Sequence, residues 1–437
     1  MNYKIEPKDV HDELSKFMLV DGFDIIFDND KSHGSYFYDS KNKREILDFF
    51  TFFASSPIGF NHPKLSNKEF IEKIGKIALH KPSNSDIYTV EMAEFVSTFA
   101  RVAKPEWMKY LFFVSGGALA VENGLKTAFD WKIRMNLTAG KGEKGKKVLH
   151  FKHAFHGRSV YTLSLTNTFD PRKTKYFPKF NWPRVESPAL HFPIDDAEIE
   201  RVKKEEVKIL SEISEIVKID NDDIAALIIE PIQAEGGDRH FTKEFFEGLR
   251  EITLKNDILF IVDEIQTGMG ITGKFWCIEH YNVKPDIIAF GKKAQVCGII
   301  VSERVDEVEN HVFIESSRIN STWGGNLVDM VRSDYILRII EEEGLVLNAE
   351  RVGNYLLGKM KSIKTDKISN VRGKGLLIAF DLLNSSMRDK MFDKLFENGL
   401  FTIKCGEKSI RFRPPLNLSI KDAERGLEIL ERSVKMI

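Results

Sequence analysis

The chain has 437 residues, 42% of them hydrophobic and 30% charged, with 64 basic residues against 65 acidic ones. That length exceeds what one core usually fills, so two domains are expected, and the balanced charge gives no electrostatic reason to expect nucleic acid or an anionic membrane as a general partner. Cys277, Cys297 and Cys405 are too few and too scattered for a disulfide framework or a Cys-rich zinc site. With no signal-peptide core and no membrane-length apolar run, a cytoplasmic protein is expected.

In chain order, GSYFYDS (34–40) and REILDFF (44–50) read as strands of an N-terminal segment, 1–60, expected to pack with the C-terminal part and a partner subunit. From about 107 to 300, short apolar runs alternate with longer amphipathic ones, the rhythm of a parallel α/β sheet. The strand candidates are 110–114, 147–151, 224–230, 258–264 and 286–290, each short and nearly continuously apolar as a strand buried on both faces should be. GKGEKGKK (140–147) reads as a basic surface loop, while 196–222 and 243–257 carry helical spacing. After about 335 the texture changes to one long helical stretch (336–363), the strand-like VRGKGLLIAFDLL and a last helix after Pro415. A large domain over 61–335 and a smaller α+β domain over 336–437 are expected.

Three predicted strand ends carry chemistry. The first strand runs through Ser115-Gly116-Gly117 into a helix, where backbone N–H groups and the helix dipole favour an anion. Gly117 and Ala118 are the candidate phosphate donors. Residues 268–273 match G-x-G-x-x-G, but Asp263 to Thr267 separate them from their strand, so a dinucleotide site is rejected. Asp263 itself stands at a strand's carboxyl end, where open α/β sheets bind ligands. With Gln266 it suits a heteroaromatic ring, one contacting a ring N–H and the other a ring oxygen. Lys292 and Lys293 then set two ammonium groups against the apolar run PDIIAFGKKAQVCGII, and a buried lysine shifts its pKa or reacts. A phosphate site, an aspartate and a lysine at three strand ends suit pyridoxal 5′-phosphate, with the lysine as its covalent anchor.

Together VSGGALAVEN, FKHAFHGRS, EPIQAEGG, VDEIQTGMGITG, FGKKAQVCG, NSTWGGN and IRFRPPL resemble the class III (ω-amino-acid) aminotransferases of the type I pyridoxal-phosphate fold. That fold implies an α/β large domain with a mixed, mostly parallel sheet. GALAVEN, FGKKAQVCG and NSTWGGN are similar to the branch that moves the ε-amino group of L-lysine to 2-oxoglutarate by a ping-pong mechanism. Ornithine, 4-aminobutyrate or another ω-amino acid is the alternative donor. The resemblance implies Lys292 rather than Lys293 as the reactive lysine, with Lys293 pointing elsewhere. It implies Phe155 stacked on the cofactor ring and Thr322 donating to the phosphate of the opposite subunit, which makes a homodimer with shared active sites. Arg158, Asn320, Gln266 and Arg411 would meet substrate, and Glu235 would pair with Arg411 for lysine and swing away for 2-oxoglutarate. The phosphate loop departs from the family, which commonly has Gly-Ser/Thr where this chain has Gly117-Ala118. His150, His153 and His156 form H-x-x-H-x-x-H, but no carboxylate or cysteine set accompanies them, so no metal is expected.

Overall fold

The computed structural model describes residues 5–220 and 222–437, so residues 1–4 of the expected N-terminal segment and Asn221 of the expected surface helix lie outside it. The apolar runs assemble into a seven-stranded sheet. Its spatial order is Met108–Val114, Cys297–Ser302, Ile287–Phe290, Leu259–Asp263, Ile224–Ile229, Lys147–Phe151 and Arg184–Val185. Pairs from Ile287–Phe290 to Arg184–Val185 are parallel, whereas Cys297–Ser302 runs antiparallel to both of its neighbours. The sheet is therefore mixed and mostly parallel, with all five expected strands in it. Cys297–Ser302 and the two-residue Arg184–Val185 were not among the expected strands.

Strand alternation divides the core in two. Ala226, Ile228, Ile261 and Ile287 pack with Val121, Leu125 and Trp131 of the helix Gly117–Thr138. Leu227, Phe260, Val262 and Ile288 belong to a second core with Phe246 and Leu249 of the helix Lys243–Lys255. Every residue of the three central strands is buried, which is why they read as unbroken apolar runs.

Two four-stranded sheets complete the fold. Phe27–His33, Tyr36–Asp39 and Arg44–Asp48 form a meander whose last strand pairs in parallel with Leu400–Phe401, joining the N-terminal segment to the C-terminal part. Ser369–Lys374, Leu377–Asp381, Ser409–Phe412 and Ile403–Cys405 form the other. The stretch read as one long helix is two, Leu327–Glu342 and Leu345–Ser362, because Gly344 between them takes a left-handed φ of 59°. The first of them runs through the expected 335/336 boundary. The glycine-rich 268–273 run is a packing loop, with Gly268 against Trp276 and Gly273 against Glu350. Among the described residues no helix is long and apolar enough to cross a membrane.

Candidate active site

The carboxyl ends of the central strands open on a cavity of about 330 Å³ lined by Gly117, Ala118, Phe155, Asp263, Gln266, Glu235 and Lys292 among others. A larger hollow of about 630 Å³ between the helices Asp196–Asp220 and Lys243–Lys255 lacks any such convergence of catalytic groups and lies apart from these strand ends.

Lys292 opens the short turn after Ile287–Phe290 with φ at 49°, a left-handed conformation that is costly for a residue with a Cβ. Burial, then the charge of Arg411, pushes its ammonium down to about 8, against the pull of Asp263 and Glu230. Lys293 is 1% exposed and diverges, its Nζ donating to the Ala54 carbonyl at 2.7 Å. That carbonyl ends Thr51–Ala54, four consecutive non-glycine residues with left-handed φ. Neither lysine sits in a fully solvated turn.

Asp263 closes its strand with Oδ1 accepting from the Ile265 N–H at 3.1 Å and Oδ2 2.7 Å from His156 Nδ1. Burial alone would lower the His156 pKa, but the hydrogen bond and charge of Asp263, with Glu230 behind them, raise it overall. Its Nε2 is buried and has no hydrogen-bond partner among the described residues. The sequence singles out His156 only as one of three spaced histidines. In the fold they have separate neighbours: His150 meets Arg184 and His153 lies beside Glu186.

The helix that begins at Gly117 has no side-chain cap, and Gly116 before it has φ of 110°. Its first N–H groups are thus left for a ligand. Phe155 donates its N–H to Glu230 Oε1 at 2.9 Å, and Glu230 Oε2 accepts from Ala234 N at 3.2 Å. Burial raises the Glu230 carboxyl to about 7. Glu230, quoted only as part of a motif, thus ties the AFHG segment to the loop carrying Glu235. The two backbones are so close that a Cβ on Gly236 would lie 2.2 Å from the His153 carbonyl.

Arg411 is 1% exposed and donates to Glu235 Oε2 at 2.7 Å and to Gln266 Oε1 at 3.2 Å. Lys173 Nζ holds the other carboxylate oxygen of Glu235 at 2.5 Å. Burial would raise the Glu235 pKa, but the charges of Arg411 and Lys173 outweigh it and the net shift is downward. Arg413, also fully buried, donates to Gln266 Oε1 at 3.2 Å and pairs with Asp238. Lys173 has no signal in sequence, since it is defined by a partner far along the chain, and Arg413 appears there only as part of the IRFRPPL motif. Arg158 is exposed, follows Gly157 of the cavity wall, and has no ion-pair partner among the described residues. Asn320 and Thr322 are exposed and do not line the cavity.

A family model for class III aminotransferases matches residues 20–434, and the chain belongs to that family. It is 46% identical to the L-lysine-epsilon aminotransferase of Mycobacterium tuberculosis over 99% of this chain and 96% of that protein. The enzyme of the same name from Streptomyces clavuligerus is 42% identical over 99% of this chain and 95% of its own length. A solved structure of lysine aminotransferase from M. tuberculosis in the internal aldimine form superposes with a TM-score of 0.96, at 46% identity, over 99% of this chain and 100% of that one. The family's cofactor is pyridoxal 5′-phosphate, and the residues present fit it: an uncapped helix N-terminus, a buried acid at a strand end and a lysine whose pKa is depressed share one cavity.

Proposed function

We propose that this aminotransferase moves the ε-amino group of L-lysine to 2-oxoglutarate, yielding 2-aminoadipate 6-semialdehyde and glutamate in two half-reactions. When bound, pyridoxal phosphate supplies an electron sink for the carbon that carries the amine. Lys292 Nζ would anchor the cofactor and, as a free amine, would take the proton from that carbon. Asp263, oriented by His156, would hold the ring N–H, and the Gly117 and Ala118 N–H groups would hold the phosphate. Phe155 would offer its ring for stacking, and Gln266, whose oxygen is taken by two arginines, would have its NH₂ left for a ring oxygen.

The observation that carries the orientation of the donor, terminal amine first, is the Arg411–Glu235 pair, and L-lysine among such donors is supported by the likeness to L-lysine-epsilon aminotransferases. With its charge masked, Arg411 does not draw the carboxylate end of lysine toward Lys292, and the exposed Arg158 takes that carboxylate at the rim. When Glu235 turns away, Arg411 binds the α-carboxylate of 2-oxoglutarate. The same proposal includes a cytoplasmic homodimer in which Asn320 and Thr322 serve the site of a second copy, and the division at 60 and 335. The free Cys277, Cys297 and Cys405 are in keeping with a reducing compartment.

Single-turnover absorbance of the bound cofactor separates the two half-reactions. Breaking a desolvated charge pair costs about 2–5 kcal/mol at the step that needs it. Glu235→Ala is expected to slow the lysine half-reaction far more than the 2-oxoglutarate one, and Arg411→Ala the reverse. Equal losses in both halves for Glu235→Ala would show that Glu235 is not a gate.

A further inference from the structure

The loop that carries Glu235 is pinned from several sides. Gly237 and Asp238 N–H groups donate to the Ala234 carbonyl, and the Gly406 N–H donates to the Glu235 carbonyl at 3.0 Å. Arg372, 3% exposed, donates to the carbonyls of Gly237 and Asp238. With its backbone held this way, Glu235 can leave Arg411 only by turning its side chain.

A carboxylate that is three-quarters buried cannot leave its cation for nothing, because an unpaired charge there is strongly disfavoured. A second cation is already in place. Lys173 ends the short turn Pro171–Lys173, in a run whose neighbours Phe169, Tyr176 and Phe177 are exposed, yet its own side chain is 18% exposed. It reaches Glu235 Oε1 at 2.5 Å and lies 5.7 Å from the centre of the Phe155 ring. The carboxylate therefore bridges two cations, one oxygen each.

We propose that Lys173 is a positioning residue that sets the substrate alternation: it retains Glu235 when Arg411 is released, so that the pocket can receive a dicarboxylate such as 2-oxoglutarate. This rests on the gate reading of Glu235. Without Lys173 the released carboxylate has no counter-charge, so the population shifts toward the Arg411-paired state that suits the amino donor. The lysine half-reaction, which uses that paired state, does not need Lys173.

The test uses holoenzyme carrying Lys173→Met, which keeps the aliphatic stem, or Lys173→Arg, which keeps the charge. Each half-reaction is followed by stopped-flow absorbance, in the wild-type background and with Glu235→Ala. Lys173→Met is expected to lower the second-order rate constant for 2-oxoglutarate by about tenfold or more while L-lysine changes by less than about threefold. Lys173→Arg should recover most of the loss, and Lys173→Met should add almost nothing once Glu235 is alanine. Equal slowing of both halves by Lys173→Met, or an undiminished effect in the Glu235→Ala background, would overturn the proposal. If Glu235→Ala alone shows the split between halves and Lys173→Met does not, the gate stands and Lys173 has no part in it. If Glu235→Ala shows no split, the gate itself falls.

Discussion

Two adjacent lysines end up in opposite chemical circumstances because one Cβ turns into the cavity and the next turns under it. Lys292 is expected to be indispensable and Lys293 architectural. Lys292→Ala should abolish transamination. Lys293→Ala should keep most activity yet lose about 1–3 kcal/mol of stability, since the Ala54 carbonyl of a strained turn loses its donor. Borohydride reduction and peptide mapping, with thermal unfolding of both variants, check this; label on Lys293 would contradict it. The depressed Lys292 value has a pH consequence. Only the neutral amine attacks an aldehyde, so capture of pyridoxal phosphate by the apoprotein should speed up with pH to about 8 and then level off. A lysine at the ordinary 10.5 would still be climbing at pH 10, and that result would show that the amine is not desolvated. Asp263, Gln266 and the lysine pair are legible in the sequence because strand ends mark them, while the preference for Lys292 over Lys293 comes from the family resemblance. The Asp263–His156 and Glu235–Lys173 contacts are not, because each joins residues from separate segments that only the tertiary fold brings together.

At the scale of elements, burial on both faces makes the central strands conspicuous as apolar runs, and all five are found where the sequence puts them. Cys297–Ser302 is the exception. It follows the Lys292 turn so closely that the two merge into one stretch, and nothing in local composition announces an antiparallel strand inside a parallel sheet. The strand depends on a glycine: a Cβ on Gly298 would lie 2.1 Å from the Phe112 carbonyl and 2.7 Å from the Phe290 ring. Gly298→Ala should therefore pry the strand from both neighbours at a cost of about 1–3 kcal/mol or more, read as a lowered melting temperature with weakened cofactor retention. An unchanged melting temperature would mean that the sheet yields there. The helix break at Gly344 escapes the sequence reading for a similar reason: one glycine in a helical pattern is tolerated or is a stop, and periodicity does not say which.

Across the whole molecule, the site draws on distant parts of the chain. Lys292 and Asp263 come from the central sheet and Arg411 from the C-terminal strand Ser409–Phe412, while Lys173 reaches in from a largely exposed loop. That arrangement lets one set of groups hold the cofactor while a separate set chooses between substrates. In the proposed reaction, nitrogen leaves the ε-position of lysine and arrives on glutamate. L-Lysine labelled with ¹⁵N at either the ε- or the α-position, incubated with purified enzyme and 2-oxoglutarate, tests it by mass spectrometry of the glutamate formed. Label is expected in glutamate from ε-labelled lysine and none from α-labelled lysine; glutamate labelled from the α-position, or no labelled glutamate at all, would rule out ε-transamination.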